Sequence, residues 1–183
     1  MKKIRYISIY FCLFLCLLFI FINRKPLITD QDRIYIDKFL AEWKINLSAE
    51  QVHADFNSES AFIQKLVTSV VSTINHKEIQ NSNFGNIKYY YENRLGFCYD
   101  RAILMEKIFR YYHFNFRHVF VYYLKDPNAK PGVLDFFRKS TLSHAITEVE
   151  TKKGWMVIDS NTDCVGIDKN GNVLNTNDLK EKA

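Results

Sequence analysis

Two hydrophobic periodicities follow one another along the chain after its first 25 residues. An apolar stripe with steps of four predicts a helix with one buried face from Ser58 onward. Its members are Phe62, Leu66, Val70 and Ile74. A second helical pattern begins at Cys98. Its apolar positions are Ala102, Met105, Ile108, Phe109 and Tyr112.

The later segments change to a strand pattern. The runs "FRHVFVYYL", "SHAITEVET" and "GWMVIDSN" are rich in β-branched and aromatic residues, and the last two are separated by the turn-like "KKG". Helices that precede antiparallel strands are typical of α+β domains. We therefore predict an α+β fold in which the helix that carries Cys98 packs on a small antiparallel sheet.

The N-terminal segment has no helical or strand alternation. Residues 6–22 contain no charged side chain, and Lys2, Lys3 and Arg5 precede them. As a helix this run would be about 25 Å long, near the lower limit for crossing a bilayer. A secretory signal peptide is the alternative, but no small-residue cleavage site follows the run. We expect an uncleaved membrane anchor, with the preceding basic residues holding the N-terminus in the cytoplasm and the domain outside it.

These patterns divide the chain into three parts. Residues 1–25 form the anchor, residues 26–57 a helical N-terminal extension, and residues 58–183 the main domain. Within the extension, Ser48 and Gln51 occupy the positions of a capping box, and Thr29 or Asp30 could cap an earlier helix.

Charge and composition exclude one class of partner and give no sign of a cofactor. The formal net charge is +5, but five basic and no acidic residues lie in the first 25 positions, so the remainder balances 20 basic against 20 acidic residues. A formally neutral domain predicts no nucleic-acid groove. There is no CxxC pair, no Cys/His cluster at zinc spacing and no acidic calcium loop, so we expect neither a metal nor another cofactor.

Cys98 is the first candidate for chemistry. A cysteine in the first turn of a helix is close to unpaired backbone N–H groups, which favour a thiolate and can also bind an oxyanion. Gly96 permits a close approach of the backbone there. A packing role is the alternative reading of Cys98, and for Asp100 a structural role in the first turn is the favoured one.

His144 and Asp159 are the candidate partners. His144 begins one predicted strand and Asp159 ends the next, and the ends of two hairpin strands lie together. With "TKKG" as the turn, we expect positions whose numbers total about 303 to face one another, which pairs His144 with Asp159. The aspartate could then orient the imidazole of a general base. His118 is an alternative base, for which a solvent-facing strand position is the simpler interpretation.

The segments "GFCYDRA", "SHAITEVE" and "GWMVIDSN" together resemble the transglutaminase-like superfamily. Its members carry a Gly-x-Cys-x-Asp-x-Ala signature, a His-Ala strand and a Trp-x-x-x-Asp strand in this order. The resemblance covers about residues 58–165. The matching positions are Gly96, Cys98, Asp100, Ala102, His144, Ala145, Trp155 and Asp159.

The resemblance implies a papain-like fold and a triad in which Cys98 is the nucleophile, His144 the general base and Asp159 its orienter. It implies a bacterial, membrane-anchored cysteine enzyme that acts on peptide or glutamine-type amides through a thioester. Water as acceptor would give proteolysis or deamidation, and an amine would give cross-linking. The alternative is a non-catalytic binding or scaffold domain, held by a disulfide between Cys98 and Cys164. A protein or peptide substrate is the expected partner, and the oligomeric state stays open.

Overall fold

The computed structural model of the protein describes residues 27–77, 83–122 and 143–181, together with Phe14. The expected anchor, residues 1–25, lies outside the described residues apart from Phe14. Within the described ranges, no helix is long and apolar enough to cross a membrane. The anchor and the three-part division of the chain therefore stay predictions.

The described chain contains six helices and five strands. The helices are α1 (Asp30–Glu42), α2 (Ala49–Val52), α3 (Phe56–Thr73), α4 (Ile87–Asn93), α5 (Cys98–Tyr111) and α6 (Thr176–Glu181). The strands are β1 (Asn75–His76), β2 (Leu95–Gly96), β3 (Phe116–Tyr122), β4 (Ser143–Thr151) and β5 (Gly154–Asp159).

Side-chain caps fix where the first helices begin. Thr29 Oγ1 accepts a hydrogen bond from the Asp32 backbone N–H, and Asp32 Oδ2 accepts one from the Thr29 N–H. Ser48 and Gln51 make the same reciprocal pair at α2. The predicted capping box is thereby confirmed, and Thr29 is the cap of α1. At α3, Asp55 Oδ1 accepts a hydrogen bond from the Ser58 backbone N–H without a reciprocal bond. Each of these helices therefore starts at a residue that satisfies an otherwise unpaired backbone donor.

The core lies between α3, α5 and the sheet. All four members of the predicted stripe on α3 are buried, with Leu66 and Val70 fully inaccessible to solvent. Helix α5 packs against α3 on one side and against β3 and β4 on the other. Its apolar residues Met105, Ile108 and Phe109 are also fully buried. The helix that begins with Cys98 is therefore the centre of the domain rather than a surface element.

The second half of the domain is a three-stranded antiparallel sheet in the order β3-β4-β5. The combination of this sheet with the helices confirms the predicted α+β class. The hairpin between β4 and β5 turns at Lys152 and Lys153, and its pairs run from Thr151 with Gly154 to Ile146 with Asp159. Paired positions therefore total 305 rather than 303. The expected register was wrong by two residues, since a hairpin that turns at Lys152 and Lys153 pairs Thr151 with Gly154, and these positions total 305.

A short parallel pair completes the frame of the site. Asn75 and His76 of β1 pair with Leu95 and Gly96 of β2. This pairing fixes the chain immediately before α5. Strand β1 follows α3 and β2 leads into α5, so their pairing fixes Cys98 relative to the end of α3.

Candidate active site

Cys98 is the first residue of α5, as the sequence predicted. Phe97 precedes it as the N-cap residue and makes no side-chain hydrogen bond to the helix. A phenyl ring has no acceptor, so it cannot satisfy the backbone N–H groups of the first turn. The start of α5 differs in this respect from the starts of α1, α2 and α3, where side-chain oxygens fill that role. The backbone N–H groups of the first turn, which the Phe97 side chain does not cap, therefore lie beside the Cys98 thiol.

Asp100 holds the helix start in place. Its Oδ2 accepts a hydrogen bond of 2.8 Å from the Phe97 backbone N–H, and its Oδ1 accepts one of 2.7 Å from the Tyr90 hydroxyl. The carboxylate is buried with both oxygens engaged. Burial and the neighbouring carboxylate raise the pKa of Tyr90, so this hydroxyl stays a donor. Asp100 has the structural role that the sequence favoured for it.

Gly96 brings the backbone close to this cluster. A Cβ atom at position 96 would lie 3.0 Å from Asp100 Cβ and 3.1 Å from Ile74 Cγ2. These distances are shorter than ordinary carbon contacts, so a side chain at position 96 would force Asp100 and Ile74 to shift. The close backbone approach expected at Gly96 therefore leaves no room for a side chain beside Asp100 and Ile74 unless they move.

His144 and Asp159 meet across the hairpin despite the shifted register. The directly paired residue of Asp159 is Ile146, and His144 lies two positions before Ile146 on the same face of β4. His144 Nε2 lies 2.7 Å from Asp159 Oδ1. This diagonal contact is within reach of an imidazole and a carboxylate. A neutral imidazole that donates from Nε2 to Asp159 keeps its lone pair on Nδ1.

Asn161 is a component that the sequence reasoning missed. Its backbone N–H donates to Asp159 Oδ1 at 2.7 Å, and its side-chain Nδ2 lies 3.3 Å from His144 Nδ1. The neighbouring Ser160 is fully buried and donates from Oγ to the Ala145 carbonyl at 2.6 Å. The segment after Asp159 therefore ties the end of β5 to the beginning of β4. The family resemblance gave no signal here, because its members often continue with Pro-Thr after the aspartate, whereas this chain has "SNT".

Arg101 is the second missed component. Only 5% of its surface is exposed, and its guanidinium donates to the backbone carbonyls of Ile74 (Nε, 3.0 Å) and Ser160 (Nη1, 3.3 Å). Burial lowers the pKa of Arg101, whereas its attraction to Cys98 and Asp159 raises it. An arginine keeps its proton at any physiological pH. A permanent positive charge therefore lies beneath the site and acts on both of these groups.

A cavity of about 600 Å³ opens at the start of α5. Cys98 lines it, together with Ser143 and Ala145, the two neighbours of His144 on β4. Cys98 and Cys164 are both free thiols, with Cys98 half-buried and Cys164 exposed. The disulfide of the alternative reading does not form in this structure.

His118 and His53 each pair with a buried glutamate, whereas the His76 ring lies at the site, 4.4 Å from the ring of Phe97. His118 Nδ1 lies 2.7 Å from the buried Glu106 Oε1, so the expectation of a solvent-facing His118 is wrong. His53 bridges Glu59 Oε1 and the Tyr112 carbonyl. In the described part of the chain, no group of three or more His, Cys, Asp or Glu side chains is arranged to hold a metal ion.

Comparison with known proteins gives one match. A sequence model of the transglutaminase-like superfamily matches residues 47–160, more than half of the chain. Cys98, His144 and Asp159 all lie within the matched range. Searches of curated proteins and of solved structures found no match.

Proposed function

The chain belongs to the transglutaminase-like superfamily, whose domains are typically cysteine-based catalysts, and we propose that it is a cysteine hydrolase or acyltransferase. Its substrates are peptide or glutamine-type amides, and the reaction passes through a thioester. Cys98 is the nucleophile, His144 the general base, and Asp159 orients the imidazole. The family match supports a cysteine-based catalyst. The attack on an amide and the roles of Cys98, His144 and Asp159 are what we propose.

One observation carries the proposal. The 2.7 Å hydrogen bond between His144 Nε2 and Asp159 Oδ1 couples the base to the acid, and Arg101, three residues after Cys98 on α5, donates to the carbonyl of Ser160, which follows Asp159. This contact joins the first turn of α5, which carries the free Cys98 thiol, to the end of β5, which carries Asp159. Nucleophilic catalysis by cysteine needs this set of groups.

The chemistry begins with attack of Cys98 Sγ on the amide carbonyl carbon. A C–S bond forms, the thiol proton passes to His144 Nδ1, and the oxyanion accepts hydrogen bonds from the N–H groups that open the first turn of α5. Asp159 stabilises the imidazolium through Nε2. The C–N bond then breaks, His144 returns the proton to the departing amine, and a thioester remains on Cys98.

The second half of the reaction regenerates the thiol. Water or an amine attacks the thioester carbonyl, and His144 accepts the proton of the incoming nucleophile. The C–S bond breaks, and the sulfur recovers its proton from His144. Water yields an acid, as in proteolysis or deamidation, and an amine yields a new amide. The Arg101 charge, which attracts Cys98 and Asp159, contributes to holding this constellation together.

Alkylation of the full chain by iodoacetamide from pH 4 to 9, mapped by mass spectrometry, tests the proposal. At neutral pH Cys98 should react faster than an ordinary thiol, because His144 takes up its proton. Cys164 is exposed and free, so it is an internal reference within the same sample. His144→Ala should slow Cys98 alkylation at neutral pH about tenfold or more and leave Cys164 unchanged. Equal pH profiles for the two cysteines would instead support a binding domain.

We propose in addition that residues 6–22 attach the protein to a membrane, with the domain outside the cytoplasm. The uncharged run and its basic flank support this attachment. The full chain should remain in the membrane pellet after washing with alkaline carbonate, and deletion of residues 6–22 should release it. Release of the full chain by the same wash would contradict the proposal.

A further inference from the structure

Four aromatic side chains that are unusually exposed surround Cys98. Phe84, Phe97, Tyr99 and Phe120 are 49%, 41%, 37% and 47% exposed. They come from three separate segments, namely the turn before α4, the start of α5 and the middle of β3. All four line the cavity of about 600 Å³ that also contains Cys98. We call these four residues the aromatic rim.

Three rings of the aromatic rim form an ordered row, and the fourth, Phe97, lies 4.4 Å from the His76 ring. The Tyr99 ring meets Phe84 edge-on at 6.1 Å and stacks nearly parallel to Phe120 at 6.2 Å, with 10° between the planes. His118 supports the row from beneath, 5.3 Å from the Tyr99 ring and 4.5 Å from the Phe120 ring. The buried Glu106 carboxylate holds His118 in turn. Contacts within the protein therefore hold Phe84, Tyr99 and Phe120 in position.

Among the described residues that line the cavity, none offers a free charge with which a substrate could pair. Asp100 is the one carboxylate among the described lining residues. Both of its oxygens are already engaged by the Phe97 N–H and the Tyr90 hydroxyl. Ser143 and Ala145 are small and leave space beside the thiol. Against these described residues, a lysine or glutamate side chain would lose its hydration without gaining an ionic partner.

We propose that the aromatic rim binds an aromatic side chain of a polypeptide substrate, next to the amide that Cys98 attacks. This inference rests on the proposed function and names its substrate class. A cavity of this volume is in the usual range for small-ligand sites. An inserted ring would bury apolar surface against the rim and gain offset or edge-on contacts, which an aliphatic side chain cannot make. The rim thus determines which amide is presented to the thiol.

The test compares reagents that differ only in one side chain. Acetyl-blocked chloromethyl ketones of Phe, Leu, Ala, Lys and Glu react with Cys98 when its sulfur displaces chloride, so that a C–S bond forms and a C–Cl bond breaks. The rate of Cys98 modification in the full chain is divided by the iodoacetamide rate of the same sample. We expect the Phe reagent to exceed the Ala reagent at least tenfold, with Leu between them and Lys and Glu lowest.

Two substitutions on different segments locate the effect. Phe84→Ala and Phe120→Ala should each reduce the Phe-to-Ala rate ratio about threefold or more. The matched control is Ile34→Ala on α1, because Ile34 is an equally exposed apolar residue outside the cavity. This control should retain the ratio of the unmodified protein.

The outcomes separate this inference from the proposed function. A Cys98 whose iodoacetamide reactivity depends on His144, but which reacts equally with all five reagents or fastest with Leu, Lys or Glu, overturns the aromatic specificity alone. A retained ratio in both rim variants does the same. A Cys98 whose reactivity is independent of His144 overturns the proposed function, and the inference with it.

Discussion

At the scale of single residues, Asp159 Oδ1 is the point on which the site depends. It accepts from His144 Nε2 and from the Asn161 backbone N–H, both at 2.7 Å. Two donors from different segments restrict the rotation of the carboxylate, which therefore presents a fixed face to the imidazole. The tautomer with its proton on Nε2 follows from this contact, and Nδ1 is left as the basic nitrogen.

The side-chain amide of Asn161 contacts the basic nitrogen of His144. Its Nδ2 lies 3.3 Å from His144 Nδ1, the atom that is to accept the thiol proton. An amide N–H that donates to Nδ1 competes with the thiol for the same lone pair. Its own Oδ1 is buried and has no hydrogen-bond partner among the described residues, which leave the amide held mainly by the contact with His144.

Asn161→Ala should therefore speed the alkylation of Cys98 at pH 7 about two- to fivefold, because about one hydrogen bond is removed from the base. The measurement is the iodoacetamide rate of Cys98 relative to that of Cys164. Asn115→Ala is the matched control, since that amide pairs with Glu150 at an exposed site. A slower reaction in Asn161→Ala would show that the amide supports the base rather than competing for it.

At the scale of secondary structure, the start of α5 depends on the β1–β2 pair. Gly96 faces His76 in that pair, and the next two residues lead into the helix. Any side chain at position 96 would press on Asp100, whose carboxylate holds the Phe97 N–H. The packing of two short strands is thereby coupled to the position of the thiol.

Gly96→Ala should cost about 1–3 kcal/mol of unfolding free energy in urea denaturation, as overpacking in a core does. It should also slow Cys98 alkylation severalfold, because the displaced Asp100 moves the first turn. Gly171→Ala is a useful comparison. Its φ of 78° makes alanine unfavourable, yet nothing lies within 4 Å of the added carbon. That variant should lose stability with unchanged Cys98 reactivity, and a normal rate in Gly96→Ala would dissociate the strand pair from the site.

Sequence patterns were most informative where local physics decides the structure. The stripe on α3 and the period change at β3 follow from repeated burial of one face, and both could be predicted. The hairpin between β4 and β5 was also recognisable. Its register was predicted with a shift of two residues, although the "TKKG" turn itself pairs Thr151 with Gly154. The contact of His144 with Asp159 survives that shift because the two side chains remain on one face.

Contacts between distant segments had no signal in the sequence. Arg101 lies 27 residues from the Ile74 carbonyl and 59 from the Ser160 carbonyl that it binds. Glu106 on α5 meets His118 on β3 only because the helix packs on the sheet. Side chains of this kind look like surface charges in a linear pattern. Their burial is decided by tertiary packing, which hydrophobic periodicity does not report.

At the scale of the whole molecule, Glu148 joins three segments that are far apart in the chain. Its carboxylate lies on β4, pairs with Arg117 on β3, and accepts hydrogen bonds from the Thr176 N–H at 2.6 Å and Oγ1 at 2.7 Å. The C-terminal helix α6 starts at Thr176 and is thereby attached to the sheet. The carboxylate side chain is almost fully buried, so these hydrogen bonds replace its lost hydration.

Protonation of Glu148 should consequently lower the stability of the protein in acid. Burial alone would raise the pKa of Glu148, but the hydrogen bonds from Arg117 and Thr176 outweigh it and hold the pKa below the usual value of 4.5. A carboxyl whose folded pKa is depressed stabilises the fold at pH values above its unfolded pKa. That contribution declines as the pH falls through the folded pKa, since protonation removes the ionic partner.

Glu148→Gln should lower the unfolding free energy by roughly 1.5–3 kcal/mol at pH 7, the usual value of hydrogen bonds to a charged group. The difference from the unmodified protein should shrink steadily as the pH is lowered below about 4.5, because the native carboxyl then becomes neutral as well. Urea denaturation at a series of pH values measures both quantities. Glu150→Gln is the matched control, two positions along the same strand but exposed, and it should change stability by less than about 0.5 kcal/mol. A Glu148→Gln deficit that stays constant from pH 7 to pH 3 would mean that packing at this junction, and not the charge of Glu148, connects α6 to the sheet.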